Sequence, residues 1–288
     1  MTFVKSKASM TAHAKINLCL NVLGRREDGY HNIESLMQPL HFGDDVIVER
    51  TENPGICLQT NHKELPTDAG NIAYRAAEKM IEALGLSCGF SITIHKRIPV
   101  AAGLAGGSTN AAAVLRLINE MAEAPLLEEE LSAIGLSLGA DVPFCLFDAP
   151  ALAEGIGEKL TPVQGLTDCT VVLVNPGESV STAAIYKAID EHEKTEPANV
   201  PALLKALEQG DMKVAFAEMK NMMQKPAAMH CPAICELLDR LYQVGADYAM
   251  MSGSGATCFG IFIKTPDATA LKEAFGSHFV AVTKPVTE

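Results

Sequence analysis

Nowhere in the 288-residue sequence do 18 apolar residues run together, which excludes a hydrophobic membrane-spanning helix. The opening segment also lacks a continuous apolar stretch, because Lys5, Lys7 and Lys15 interrupt it, and a soluble, cytoplasmic protein is expected. No CxxC pair occurs among the eight cysteines, and most of them sit inside apolar runs such as 142–147 and 169–174, so they read as reduced core thiols. The group His230, Cys231 and Cys235 does not have zinc-site spacing, and a helix start that buries small thiols is the commoner arrangement. Positive charge is scarce. Lys plus Arg number 23 against 35 Asp plus Glu, and the net charge of −12 argues against nucleic-acid or anionic-membrane partners. An anionic substrate would therefore need local backbone donors and a few placed cations. GxxxxGK[ST] is absent and no GxGxxG opens a helix, so Walker and Rossmann phosphate sites are excluded. Internal repeats and low-complexity tracts are lacking too.

What is present is an ordinary folded composition, 48% hydrophobic and 20% charged, in a chain about two domains long at roughly 150 residues each. The breaker-rich TPVQGLTD stretch at 161–168 marks the expected boundary, giving domains 1–164 and 165–288. Ile16, Leu18, Leu20 and Val22 alternate with polar or small residues, the period of a strand with one buried face, so Lys15 and Asn17 project together. Strands are expected at 35–40, 44–50 and 90–98, the last stopped by Pro99. Between them Asn71 should cap a helix through Leu84. A helix from Ser108 and another at 128–137 follow. Asp141, bracketed by Gly139 and Pro143, is expected in a loop. Beyond 168 the spacing predicts strands at 169–174, 247–251 and 258–263, with helices at 182–190, 200–208, 212–223 and 231–243.

From Pro99 to Gly107 the chain reads PVAAGLAGG and continues as STNAAAVLRLINEM. In a strand, small-residue loop and helix of this kind, backbone N–H groups can converge on one anion while the helix dipole adds partial positive charge. Ser108 and Thr109 add hydroxyls able to meet phosphate or a bound magnesium ion. On residue types alone such a segment is more often just a tight turn that lets helix and strand approach.

The stretch PVAAGLAGGSTNAAAVL resembles the phosphate loop of the GHMP small-molecule kinases. Segments 14–40 (AKINLCLNVLGRREDGYHNIESLMQPL), 138–146 (LGADVPFCL) and 251–262 (MSGSGATCFGIF) resemble further motifs of that family in the same order. The resemblance implies an α+β, two-domain GHMP kinase fold. Its N-terminal domain would be like the second domain of ribosomal protein S5, and its C-terminal domain a ferredoxin-like α/β sandwich. It also implies ATP as phosphoryl donor, with magnesium. The acceptor would be the 2-hydroxyl of a methylerythritol linked to cytidine diphosphate, in the non-mevalonate route to isoprenoid precursors. The alternatives are a GHMP kinase for another small alcohol, such as homoserine or a mevalonate derivative, or a catalytically silent nucleotide-binding protein on the same fold. Monomer and homodimer both stay open, and no metal ligand is assigned.

By that resemblance Asp141 is the catalytic base and Lys15 the catalytic lysine, a cation that favours alkoxide character on the attacking oxygen. ATP would be held by Pro99, Val100, Ala101, Ala102, Gly103, Leu104, Ala105, Gly106, Gly107, Ser108 and Thr109, with Asn71 and Lys96 near the adenosine. Substrate would be held by Asn17, Tyr30, His31, Thr182 and Tyr186, the aromatic rings stacking on cytosine. Taken as residues alone, Asp141 could be an Asx-turn aspartate, Lys15 a solvated strand lysine, Asn71 a helix cap and Tyr186 a core tyrosine. Two departures from the family pattern carry expectations. The family's loop is usually richer in glycine, whereas this one has Ala101, Ala102 and Ala105, so any of these at positive φ is strained. His13 replaces a usual proline, so the approach to Lys15 should be less rigid.

Overall fold

The computed structural model describes residues 3–191, 195–276 and 278–287. Two long strands open the chain, β1 (Lys7–Arg25) and β2 (His31–Thr51), followed by β3 (Ile56–Thr60), α1 (Ile72–Leu84) and β4 (Gly89–His95). Helices α2 (Gly106–Met121), α3 (Glu128–Leu138) and α4 (Val142–Phe147) come next, then β5 (Ala151–Gly155), β6 (Lys159–Pro162) and β7 (Thr170–Asn175). Five helices follow: α5 (Thr182–Glu191), α6 (Val200–Gln209), α7 (Met212–Glu218), α8 (Gln224–His230) and α9 (Ala233–Gln243). The chain finishes with β8 (Tyr248–Met251), β9 (Cys258–Phe262), α10 (Ala268–Phe275) and β10 (Phe279–Thr283). The α+β class is as expected. Among the described residues no helix is long and apolar enough to cross a membrane.

The chain forms two compact units that share the long strands: one comprises 1–14, 43–100 and 105–148, the other 15–42, 101–104 and 149–288. In the first unit, residues 45–51 of β2 pair antiparallel with β4, and β3 lies parallel on the far side of β4. Helices α1 to α4 pack on one another there, and most of α2 is buried because Ala111, Ala112 and Ala113 let neighbouring helices approach closely. In the second unit, residues 33–37 of β2 pair antiparallel with β5, which pairs with β6. A separate antiparallel sheet runs in the order β10-β7-β9-β8. Its core joins Val172, Val174, Phe262 and Phe275 to Leu237 and Leu241 of α9.

Several elements differ from the sequence expectation. The strands expected at 35–40 and 44–50 are one continuous strand. Gly43 does not break it: a Cβ there would lie 2.1 Å from the Ala12 carbonyl oxygen, so glycine is what permits the close approach of β1. The helix expected over 212–223 stops at Glu218, because residues 220–222 leave the helix to bond with β1. Leu20 N donates to Lys220 O, and Met222 N donates to Leu20 O. The next expected helix starts at Ala233, with Pro232 at its cap. Asp141 is not a plain loop residue but the residue heading α4, whose first turn accepts Pro143 without loss, since that N–H has no helical partner. Helix α2 begins at Gly106, ahead of Ser108. Strands β3, β5, β6 and β10 and helices α4, α8 and α10 were not expected.

Candidate active site

The phosphate-loop candidate has a strained backbone. Ala101 (φ 52°), Gly103 (φ 77°) and Ala105 (φ 58°) all take left-handed conformations, so two of the three loop alanines carry the anticipated strain, while Ala102 does not. Ala105 is the N-cap of α2, and its side chain makes no capping hydrogen bond. The first N–H groups of α2 thus have no helical partner and none in a cap side chain. Gly107 adds space: a Cβ there would meet only Ile72 Cγ2, at 3.6 Å, so packing does not demand glycine at that point. An anion fits an uncapped helix end whose nearest residues are Gly106, Gly107 and Ser108.

Other first-unit elements converge on this end. The Ser108 hydroxyl lies 4.0 Å from where a Gly139 Cβ would stand, so the turn leading to Asp141 adjoins the start of α2. Asp141 has φ −80° and ψ −11°, and its carboxylate does not cap α4, so it is not the Asx-type cap that its surroundings suggest. Asn71, in contrast, is a full cap: its Oδ1 accepts from Ala73 N at 3.0 Å and its Nδ2 donates to Pro66 O at 2.9 Å. Lys96 is likewise engaged. It pairs with the buried Asp44 and donates to Asn110 Oδ1 at 3.0 Å and to Gly106 O at 3.5 Å. Both side chains that the resemblance sets near adenosine therefore brace the starts of helices. His13, read as a loosening substitution, sits 3.1 Å from each carboxylate oxygen of Asp148, an anchor in place of the proline ring.

The second unit gathers Lys15, Asn17 and Gly103. Lys15, only 5% exposed and not the solvated strand lysine its position allowed, donates to Asn17 Oδ1 at 2.7 Å and to the Gly103 carbonyl at 3.2 Å. Ser252 Oγ donates to the same carbonyl at 3.0 Å, and Thr257 N to Ala102 O at 3.3 Å, so the 252–257 turn clamps the loop. Gly103 must be glycine here, since a Cβ would stand 2.2 Å from Ser252 O. Asn221 braces that turn, its Nδ2 donating to the carbonyls of Met251 and Gly253. The Thr182 and Ser254 hydroxyls lie 2.7 Å apart, which brings the substrate candidate Thr182 to the same turn. Burial pushes the Cys19 thiol up to about 12, so it supplies no thiolate nucleophile.

His31 and Tyr186 form a third cluster, in the second unit. Their rings stack with centroids 4.5 Å apart and planes 12° from parallel. His31 Nε2 lies 2.9 Å from Asp190 Oδ1, and a carboxylate only accepts, so Nε2 carries the proton. Tyr186 also packs against the hydrophobic core, so its core role is real, and His31 covers its ring. Tyr30 is 58% exposed. Sequence reasoning missed Asp44, Asn110, Asp190 and Asn221, which reach their partners across long sequence separations. Only the unusual placing of Asp44 and Asp45 within a strand pattern hinted at one of them.

Two family models match the chain: the GHMP kinases N terminal domain over residues 71–149 and the GHMP kinases C terminal domain over 203–281. A curated 4-diphosphocytidyl-2-C-methyl-D-erythritol kinase from Alkaliphilus metalliredigens is 43% identical over 256 residues, covering 89% of this chain and 88% of the relative. A crystal structure of a 4-(cytidine 5'-diphospho)-2C-methyl-D-erythritol kinase superposes with a TM-score of 0.78 at 33% identity, covering 96% of this chain and 99% of that one. A homoserine kinase from Cytophaga hutchinsonii superposes almost as well, with a TM-score of 0.77 and coverage of 99% and 96%, but at 18% identity it shares the fold alone. With that identity sustained over nearly the whole length of both chains, this chain belongs to the GHMP kinases, in the family of the 4-diphosphocytidyl-2-C-methyl-D-erythritol kinases.

Proposed function

We propose that this kinase transfers the γ-phosphoryl group of ATP to the 2-hydroxyl of 4-diphosphocytidyl-2-C-methyl-D-erythritol, a step toward isoprenoid precursors. The observation that carries the reading is the 43% identity to a relative of that name over 88% of the relative's length. The fold cannot carry it, because a homoserine kinase has the same one.

In this mechanism Asp141 accepts the proton of the attacking hydroxyl, for which an aspartate that caps nothing is suited. The Lys15 ammonium, held by two oxygen acceptors, stabilises the developing charge on that oxygen. The uncapped start of α2, with the 99–109 loop, receives the phosphates through backbone N–H groups. Asn71 and Lys96 serve this site by holding the starts of α1 and α2. Magnesium would partly neutralise the triphosphate charge, and the Ser108 hydroxyl at the start of α2 would be the group to hold it. Tyr30, His31 and Thr182 face the substrate, with Tyr186 backing the His31 ring, while the buried Asn17 serves the site by accepting from Lys15. Transfer is direct and in line, with no phosphoenzyme. The division into 1–164 and 165–288 remains our assignment, and the two family matches fall on either side of it.

The test is ADP release measured with the cytidyl substrate, with homoserine and with mevalonate. Turnover with the first alone is expected. Faster turnover with either of the others would replace the substrate assignment, and none with any would favour a silent nucleotide-binding protein. Asp141→Asn should lower kcat by roughly a hundredfold or more while ATP still binds. An unchanged kcat in that variant removes Asp141 from the chemistry.

A further inference from the structure

We propose that Ser35 is a positioning residue for Lys15, acting through Asn17 as a one-way hydrogen-bond relay anchored on the Cys19 carbonyl. Lys15 Nζ donates to Asn17 Oδ1 at 2.7 Å, Asn17 Nδ2 donates to Ser35 Oγ at 2.8 Å, and Ser35 Oγ donates to Cys19 O at 2.6 Å. The relay is dry: Ser35 is 0% exposed, Asn17 1% and Lys15 5%.

Its direction is set at both ends. An ammonium can only donate and a carbonyl can only accept. Ser35 has a single hydroxyl proton, which goes to Cys19, so toward Asn17 it can only accept. An amide turned by 180° fits the same space, but it would set its oxygen against the Ser35 lone pairs and its NH2 against the Lys15 ammonium. Both hydrogen bonds would be lost where no water can replace them. Ser35 therefore keeps an oxygen facing Lys15, and that oxygen, together with the Gly103 carbonyl at 3.2 Å, fixes where the ammonium stands. Aligned donors along such a chain also strengthen one another. The Cys19 carbonyl is a firm anchor because Cys19 lies within β1 and its thiol accepts from Leu36 N at 3.3 Å. The inference rests on the reading of Lys15 as the cation that stabilises the attacking oxygen.

Steady-state kinetics of Ser35→Ala, Ser35→Thr, Ser35→Cys and Lys15→Met test it, with ATP and 4-diphosphocytidyl-2-C-methyl-D-erythritol, each rate normalised to the folded fraction from thermal unfolding. Ser35→Ala frees the Asn17 amide and the ammonium, and should lower kcat roughly ten- to a hundredfold with the ATP KM unchanged. Ser35→Thr keeps the hydroxyl and should restore most of kcat. Ser35→Cys keeps the volume with a weaker donor and should fall between them. A Ser35→Ala enzyme with the parent kcat, beside an inactive Lys15→Met, overturns the relay alone. So does a Ser35→Thr enzyme as slow as Ser35→Ala. A Lys15→Met enzyme with the parent kcat overturns the reading of Lys15, and the relay with it.

Discussion

The carboxylate of Asp44 and the ammonium of Lys96 form an ion pair closed off from water, with their side chains 0% and 6% exposed. Asp44 also accepts from Arg97 N at 2.6 Å, Ile98 N at 2.8 Å and Asn110 Nδ2 at 2.8 Å, so one buried carboxylate ties the end of β4 to the first turns of α2. Removing the charge from one partner strands the other in a dry site. Asp44→Asn should cost about 3–5 kcal/mol of unfolding free energy in urea titration. Pairing Asp44→Leu with Lys96→Met should recover much of that loss. A single variant as stable as the parent would show that water reaches Lys96.

Positive φ at Ala105 and at Gly103 has opposite consequences for substitution. Ala105→Gly relieves a left-handed alanine worth about 1–2 kcal/mol, offset by about 0.4–1 kcal/mol of extra unfolded-chain entropy, so a small gain in stability is expected. Gly103→Ala drives a Cβ into the Ser252 carbonyl and should lower the melting temperature and raise the ATP KM. Thermal unfolding and ATP saturation curves of the two variants decide this, and equal behaviour would contradict it.

Tyr186 should matter for the substrate and not for ATP. Tyr186→Ala removes the ring that backs His31, and a loss of about 1 kcal/mol in stacking corresponds to a rise in substrate KM of about fivefold. Tyr186→Phe keeps the stacked ring and should hold the substrate KM well below that of Tyr186→Ala. Substrate and ATP saturation curves measured side by side check the split, and an ATP KM that rises equally would assign Tyr186 to the core alone.

The thiols give a signed pH dependence. Burial raises Cys19 from an ordinary 9.0 to about 12, and burial with the nearby Asp168 charge raises Cys169 to about 11. Above about pH 9 the unfolded chain releases these protons while the folded one keeps them, so stability is full below pH 9 and declines as pH rises toward 11–12. Cys19→Ala should flatten that decline in urea titrations at pH 8 and pH 10.5. At neutral pH, thiol reagents should modify the exposed Cys57 and Cys235 well before the buried cysteines.

Local order was legible wherever one element's own spacing carried the signal. Asn71 caps α1 as its position announces, and α2 follows the small-residue loop within two residues of the expected start. The expected strand over 169–174 is β7, offset by one residue. Errors came where a partner far along the chain decided the outcome. Gly43 reads as a break until Ala12 is seen against it, and residues 220–222 keep helical spacing but bond to β1 instead. Strands β5 and β6 are short, and only their pairing with β2 makes them strands.

The same division holds for the candidate site. The order of motifs along the chain determined the family and singled out Lys15, Asp141 and the 99–109 loop, because those segments keep their character as contiguous residues. Only the tertiary structure decided which polar groups meet: Asp44 with Lys96 and Asn110, His31 with Asp190 and Tyr186, and Ser35 with Asn17. The reason is physical. A buried donor must find an acceptor wherever the fold supplies one, and that choice is made in space, across separations from 18 to 159 residues in these pairs, where sequence periodicity has no reach.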